Sequence, residues 1–219
     1  MGNEHNCQHS RNGFTSSMGR LLCCTILTIL VLCGIIALIL YLVYRPSKPH
    51  FAVSGVAVYQ LTTTTTNSTP TITTTPTATN SIISNLQFTV LSHNPNHRSS
   101  ILYDHLSSYV TYRNQAITQP VSLPMFFQEK QGEVALSPVM GSFTPVPVSG
   151  DVATGLMSDE GYGVVGLRLV IIGRLRYKSG PFRSVWYGFF VRCDVLIGLR
   201  KGCSGQVPIL GAPECDVDV

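Results

Sequence analysis

A run of 24 residues without a charged side chain, residues 21–44 between Arg20 and Arg45, constrains this chain most. As an α-helix the run would be about 36 Å long, enough to cross the roughly 30 Å hydrocarbon core of a bilayer. Cleaved signal peptides have a shorter apolar region and a small-residue cleavage site, which this run lacks. The sequence therefore predicts a short tail at residues 1–20, a signal anchor at residues 21–44 and one domain at residues 45–219.

The side of the membrane on which the large domain lies depends on weaker signals. Two cations flank each end of the anchor, so the positive-inside rule gives no preference. The chain contains one N-glycosylation sequon, at Asn67, and its downstream cysteines fall in strand-like segments that suit an oxidising compartment. We therefore expect a cytosolic tail and an extracytoplasmic domain.

Two cysteines at the start of the anchor, Cys23 and Cys24, lie where S-palmitoylation occurs. They also fit as ordinary apolar residues of the helix. The sequence leaves both interpretations open.

Composition excludes several functions for the part beyond the anchor. It contains 13 Lys and Arg against 10 Asp and Glu, and this net charge of +3 is too small to indicate a nucleic-acid partner. The sequence shows no G-x-S-x-G motif, no phosphate-binding glycine loop and no metal-ligand spacing of His, Cys and carboxylates. We therefore predict that the protein is not an enzyme and has no metal and no cofactor.

Alternating apolar and polar residues predict strands along the large domain. The pattern is clearest at residues 165–177 and at residues 185–199, which follow the turn signal Ser179-Gly180-Pro181. Shorter alternating segments are residues 51–61, 86–91 and 215–219. Because no helical periodicity appears after residue 45, we predict an all-β, two-sheet sandwich behind a single transmembrane helix.

Two segments are predicted to be connections rather than strands. Twelve of residues 62–79 are Thr, and a run without apolar partners buries nothing, so residues 62–80 are expected to form an exposed Thr/Pro-rich loop. That loop is interpreted either as a glycosylated segment or as a plain spacer. Residues 137–155 are rich in Pro, Gly, Ser and Val and predict a long connection with an edge strand.

Cys193 and Cys215 both lie on the apolar face of a predicted strand. If those strands are neighbours across the sandwich, a disulfide is geometrically allowed and would stabilise the fold by roughly 3 kcal/mol. The alternative is two buried free thiols. Cys203, in a glycine-rich turn, could instead take either partner or pair between chains.

Five basic residues are candidates for a partner-binding face. Four share the polar face of one predicted strand, and the fifth joins them if the return strand pairs alongside. Such a stripe could hold acidic wall polysaccharide, lipid headgroups or an acidic protein, although a solvated sheet face that resists aggregation explains the same pattern. The five residues are Arg168, Arg174, Arg176, Lys178 and Arg192.

Several short motifs occur in order from the anchor to the last residues. They are Tyr44-Arg45-Pro46-Ser47-Lys48-Pro49-His50-Phe51, Asn94-Pro95-Asn96, Tyr103-Asp104, Thr111-Tyr112-Arg113-Asn114-Gln115, Leu123-Pro124 with Phe127-Gln128, Arg174-Leu175-Arg176-Tyr177-Lys178, Val191-Arg192-Cys193 and Cys215-Asp216-Val217. Taken together, they resemble the plant late-embryogenesis-abundant group 2 (LEA-2) membrane proteins, in the harpin-induced-like or non-race-specific disease resistance-like branch. The Thr-rich stretch departs from that pattern, as does Leu102, where the family pattern has Tyr.

The resemblance implies an immunoglobulin- or fibronectin-like β-sandwich of the LEA-2 type on the outside of a plant cell. It implies a plasma-membrane location, with the endoplasmic reticulum or plasmodesmata as alternatives, and a link to pathogen response and hypersensitive cell death. Two functions stay open: defence signalling through a protein partner or acidic wall polysaccharide, and a structural role in stress protection or membrane–wall contact.

Overall fold

The computed structural model describes residues 12–44, 46–67, 78–141, 144–199, 204–211 and 214–219. The chain divides into two compact units, Met1–Arg45 and Pro46–Val219. The first contains helix α1 (Asn12–Tyr44), and the second contains the strands.

Helix α1 contains the predicted anchor. Its segment Arg20–Leu42 has a mean hydropathy of 3.0, and none of it is buried, so it is long and apolar enough to cross a membrane. The helix starts at Asn12, so the second half of the predicted tail is helical as well.

The paired strands of the second unit are antiparallel, and the unit contains the following elements in chain order. They are β1 (His50–Asn67), β2 (Ala78–His93), β3 (Ser100–Tyr112), β4 (Gln115–Ala116), β5 (Val121–Leu123), β6 (Phe126–Gln128), β7 (Glu133–Leu136), β8 (Val139–Gly141), β9 (Val146–Val148), α2 (Gly150–Tyr162), β10 (Val164–Ser179), β11 (Phe182–Arg183), β12 (Tyr187–Gly198), β13 (Gly205–Val207) and β14 (Cys215–Asp218).

These strands form two antiparallel sheets among the described residues. One has the order β13-β1-β2-β7, with β8 and β9 also paired to β2. The other has the order β14-β12-β10-β3-β4, with β5 and β6 paired to β3 and β11 paired to β10. The predicted all-β fold behind an apolar N-terminal helix is confirmed.

The core between the sheets follows from alternation along the long strands. Phe51 of β1 packs on Tyr103 of β3 and Phe189 of β12, with ring centroids 6.3 and 6.0 Å away. Tyr103 is fully buried, and burial raises the pKa of its phenol, whose oxygen donates to Gln128 Oε1 at 3.0 Å. These rings join the two sheets into one core.

The sequence predicts a long connection with an edge strand at residues 137–155, and these residues contain the short strands β8 and β9, but helix α2 contradicts the prediction that no helix follows the anchor. Its periodicity is weak because it is short and contains glycine, and its buried face is small. Val152, Ala153 and Leu156 are buried, and Gly163, with φ of +80°, ends the helix by donating its N–H to Glu160 O. Tertiary packing of this small face therefore decides the helix.

The Thr-rich segment also differs from its prediction. Residues 62–67 are not a loop but the end of β1, paired with residues 78–83 of β2. Thr64 Oγ1 lies 3.0 Å from Ser81 Oγ, and Ile82 on the partner strand is fully buried. The neighbouring strand therefore supplies the apolar side chains that the Thr run lacks, while residues 68–77 lie outside the described residues.

Candidate functional site

The five predicted basic residues lie on the outer face of the larger sheet. On β10 the odd-numbered residues from Val165 to Tyr177, Gly173 apart, enter the core, so the even-numbered ones face outward. On β12 the same alternation puts Arg192 outward, opposite Val170. Whether one of these cations is available to bind a partner depends on whether a carboxylate lies opposite it on the neighbouring strand.

Two of the five are neutralised by carboxylates on the next strand. Arg168 lies directly opposite Asp194, with Nε 2.6 Å from Oδ1. Arg192 lies opposite Asp216, with Nη2 2.8 Å from Oδ2, and it also contacts Asp218 at 3.0 Å. Opposite charges in directly facing pairs stabilise the sheet and leave little net charge for a partner.

Arg174 belongs to a third ion pair, at a β-bulge. Its Nη2 lies 2.7 Å from Asp104 Oδ2, and His105 Nδ1 contacts the same oxygen at 2.9 Å. His105 has φ of +51°, and the register of β3 and β10 shifts beside it. The hydrogen bond from Arg174 lowers the pKa of Asp104 below its ordinary value, which keeps this carboxyl group ionised.

Trp186 lies beside Arg174 and Arg176 on this outer face. The two guanidinium carbons are 4.7 and 4.6 Å from the indole ring, close enough for cation–π attraction. About a third of the Trp186 surface remains exposed. No carboxylate among the described residues forms an ion pair with Arg176.

The strand register places Arg176 in a row of directly opposite residues that crosses β10, β3 and β6. Leu102 of β3 lies opposite Arg176, and Phe127 of β6 lies opposite Leu102 on its other side. Phe127 is half exposed. We call Leu102, Phe127, Arg174, Arg176 and Trp186 the aromatic–basic patch.

A shallow groove lies next to this patch. Gly188 helps to form it, because a side chain there would meet nothing within 4 Å. The patch and groove together offer an aromatic face, a cation without an ion-pair partner among the described residues, and an open groove. The residues lining the groove include His105, Ser107, Ile172, Arg174, Gly188 and Phe190.

The structure joins Cys193 and Cys215 by a disulfide, with Cα atoms 4.2 Å apart. The two residues face each other on adjacent strands β12 and β14 of one sheet, not across the sandwich as the sequence interpretation assumed. The bond therefore fixes the edge strand β14 to the rest of the larger sheet.

The other predicted modification sites fall in other segments of the chain. Cys23 and Cys24 are exposed on α1, and their palmitoylation stays a prediction. Asn67 is the last residue of β1, and the rest of its sequon lies outside the described residues, as does Cys203.

Sequence reasoning did not single out Trp186 or the carboxylates opposite the arginines. Trp186 is the only tryptophan of the chain, which is a usable signal. The partners Asp104 and Asp194 could not be found without the strand register, since they are distant from their arginines in sequence. In the part of the chain that the structure describes, no group of three or more His, Cys, Asp or Glu could hold a metal ion.

Comparison with known proteins finds one matching family model and several similar plant proteins. A family model described as late embryogenesis abundant protein matches residues 89–193. NDR1/HIN1-like protein 1 of Arabidopsis thaliana is 31% identical over 84% of this chain and 82% of its own length. NDR1/HIN1-like proteins 12 and 26 of the same plant are 30% and 29% identical, over 84% and 74% of this chain and 81% and 71% of their own lengths.

Proposed function

This chain belongs to the late embryogenesis abundant group 2 family, in its NDR1/HIN1-like branch, and on that premise we propose that it is a plant membrane protein acting in defence signalling. It acts by binding through its β-sandwich and not by catalysis. Its α1 helix holds it in the plasma membrane as a single-pass anchor, with the sandwich outside the cell.

Two features support an extracytoplasmic sandwich. The Cys193–Cys215 disulfide is of the kind that persists in oxidising compartments and is rare in the cytosol. Asn67 is an acceptor sequence for glycosylation in the secretory pathway. Both agree with a cytosolic N-terminal tail.

The observation that carries the proposed binding role is the aromatic–basic patch. Trp186 gives a flat apolar surface, and Arg176 has no carboxylate partner among the described residues, so the pair suits a ligand with both an apolar face and negative charge. An acidic wall polysaccharide or an acidic segment of a protein partner has this chemistry. The adjacent groove at Gly188 would accommodate the continuation of an extended ligand.

A structural role in stress protection or membrane–wall contact is the second candidate. It is favoured by the ion pairs of Arg168 and Arg192, which make much of the outer face a self-neutralised sheet surface. A protein with this role needs the fold and the anchor but no specific surface residue.

Transient expression in leaf tissue, scored for cell death at equal protein level, separates the two roles. The test chain carries Arg176→Gln with Trp186→Leu. The control chain carries Arg168→Gln, which removes the same charge from the same strand at a position that Asp194 already neutralises. Defence signalling through the patch predicts strongly reduced cell death for the test chain and near wild-type cell death for the control. Equal cell death for all three chains would reject the patch and leave the structural role.

A further inference from the structure

The first residues of the second unit enter the β-sandwich at one end of its strands, which we call the Pro46 end. Ser47 donates its N–H to Asn96 Oδ1 at 2.7 Å, and Asn96 Nδ2 donates to Ser47 O at 2.8 Å. The Tyr177 hydroxyl also reaches Ser47 O, at 3.4 Å. The first residues of the domain are therefore fixed beside the last residues of β10.

The hairpin between β10 and β11 projects from the same end. Its turn consists of Gly180 and Pro181, and Gly180 has φ of +58°, a conformation that favours glycine. Phe182 follows directly and exposes 76% of its surface. An aromatic side chain this exposed at a turn has no packing role in the domain itself.

Lys178 and Arg183 face each other across this hairpin as directly opposed residues. Both side chains are exposed, and neither has an ion-pair partner among the residues the structure describes. Like charges directly opposite each other destabilise a strand pair, so the fold gains nothing from this arrangement. An anion between or beneath the two cations would remove the repulsion.

Neighbouring turns add further positive charge at this end. Ser179 Oγ donates to Arg98 O, and Gln131 N–H donates to Asn96 O, so the turns at residues 94–99 and 129–132 lie beside the hairpin. Cations outnumber carboxylates here. In the two turns and the hairpin the cations are Arg98, Lys130, Lys178 and Arg183, and the carboxylates are Glu129 and Glu133, while Lys48 donates to Val217 O of the strand that carries Asp216 and Asp218.

We propose that the hairpin tip formed by Lys178, Phe182 and Arg183 docks on anionic lipid headgroups in the leaflet that faces the sandwich, in the bilayer that holds α1. The proposal rests on the proposed membrane anchorage. Only Arg45 and Pro46 separate Tyr44, where α1 ends, from Ser47, which is fixed to the domain, so the Pro46 end lies within about 10 Å of chain from the anchor. Phe182 enters the interfacial region, where aromatic side chains are favoured, and the two cations contact lipid phosphates.

Strand β10 spans about 50 Å, so Phe182, which follows its last residue, and Tyr162, which precedes its first, are well separated on the sandwich.

Tryptophan fluorescence in full-length chain reconstituted into vesicles tests the proposal. Trp186, the single native tryptophan, is changed to Phe, and one new tryptophan is introduced by Phe182→Trp or, as the matched control, by Tyr162→Trp. Tyr162 is as exposed as Phe182 but lies at the other end of β10. The vesicles contain phosphatidylcholine brominated near the headgroup, with or without a minority of phosphatidylglycerol.

Docking predicts strong quenching at position 182 and little at position 162 in vesicles with phosphatidylglycerol. Lys178→Gln or Arg183→Gln should each weaken docking about fivefold, because one cation near an anionic surface is removed. Either change also relieves the repulsion within the hairpin, so loss of quenching cannot be assigned to a damaged fold.

Three results would overturn the proposal. Equal quenching at positions 182 and 162 in chains that float with the vesicles would reject docking while leaving the anchor intact. If quenching at position 182 is the same in vesicles with and without phosphatidylglycerol, an anionic surface is rejected as the partner. Failure of the chain to float with the vesicles would reject the anchorage, and docking with it.

Discussion

Charged side chains on the outer face of the larger sheet differ in how many ion pairs and hydrogen bonds they form within the domain. Asp104 is the most engaged carboxylate, because it accepts from two nitrogens of Arg174 and from the backbone and ring of His105. Arg176 is the contrasting case, with an indole ring beside it and no carboxylate partner in the described part of the chain. Sequence position alone does not distinguish these two kinds of charge.

The Asp104–Arg174 pair predicts a specific pH dependence of stability. Because the pKa of Asp104 is lowered from its ordinary 3.8 in the folded state, its ionisation stabilises the fold above that value. This contribution is lost as the pH falls through the folded-state pKa. We expect Asp104→Asn to lower the melting temperature slightly at pH 7, because an ion pair at the surface is screened by solvent.

Thermal unfolding of both chains followed from pH 7 into the acid range checks this. The difference between wild type and Asp104→Asn should shrink below pH 3.8 and disappear below the folded-state pKa. A difference that persists unchanged at the lowest pH would show that the amide perturbs packing, not charge.

The disulfide predicts a second effect at the residue scale. Removing both cysteines, with Cys193→Ala and Cys215→Ala, should cost about 3 kcal/mol and lower the melting temperature by roughly 6–12 °C. A reducing agent should lower the melting temperature of wild type similarly and leave the double variant unchanged. Peptide mapping without reduction should recover the Cys193–Cys215 pair, and a peptide joining either residue to Cys203 would contradict the assignment.

Strand β10 organises the domain at the scale of the elements. It pairs with β3 on one side and β12 on the other, so it contributes to the core with one face and to the charged outer surface with the other. The exposed Tyr162 lies two residues before its first residue, at the end of α2, and the exposed Phe182 lies three residues after its last, at the start of β11. In the smaller sheet, the strands other than β1 and β2 are shorter than β10. One of these short strands, β8, lies with its backbone very close to the backbone of β2.

Gly141 of β8 is predicted to tolerate no side chain. A Cβ atom there would overlap Ser84 O and approach Asn85 Cα to 2.7 Å, and both are backbone atoms of β2. Gly141→Ala should therefore force β8 from β2 at a cost of about 1–3 kcal/mol, measurable by chemical denaturation.

Gly188→Ala is the matched control, because Gly188 is also a strand glycine but has no atom near the added methyl group. Its effect should stay within about 0.5 kcal/mol. Equal losses for the two variants would show that glycine matters for backbone conformation and not for space.

At the scale of the molecule, the chain combines an apolar helix with a β-sandwich that has its own core. The proposed outside position of the sandwich predicts that a C-terminal tag on sealed microsomes is protected from protease. It also predicts a shift in size on glycosidase treatment that Asn67→Gln abolishes.

Detergent is the control in that measurement, since opening the microsomes should make the tag digestible. A tag that is digested without detergent, on a chain with no glycosidase shift, would place the sandwich in the cytosol. The cysteines would then face a reducing compartment, and the partner would be intracellular.

Much of the fold could be predicted because its signals are local. Alternation over residues 165–177 and 185–199 shows which side chains enter the core whatever the strands pair with. The Thr-rich end of β1 and helix α2 could not be predicted in this way. The Thr-rich end of β1 obtains its apolar neighbours from β2, and helix α2 is stabilised by a small buried face.

The candidate site was predicted in outline only. Alternation places Arg168, Arg174 and Arg176 on one face, but the register decides which of them meets a carboxylate. Trp186 joins the site only because the return strand brings it back beside Arg174 and Arg176.

Hydrophobicity and its period along the chain are enough to establish the apolar helix, the mainly β character of the domain and the outward face of the arginines. Which cations are neutralised, where the two cysteines meet and which turn shares an end with Pro46 follow only from the three-dimensional arrangement of the strands. These properties depend on which strands are neighbours and in what register, and contacts between residues far apart in sequence settle both.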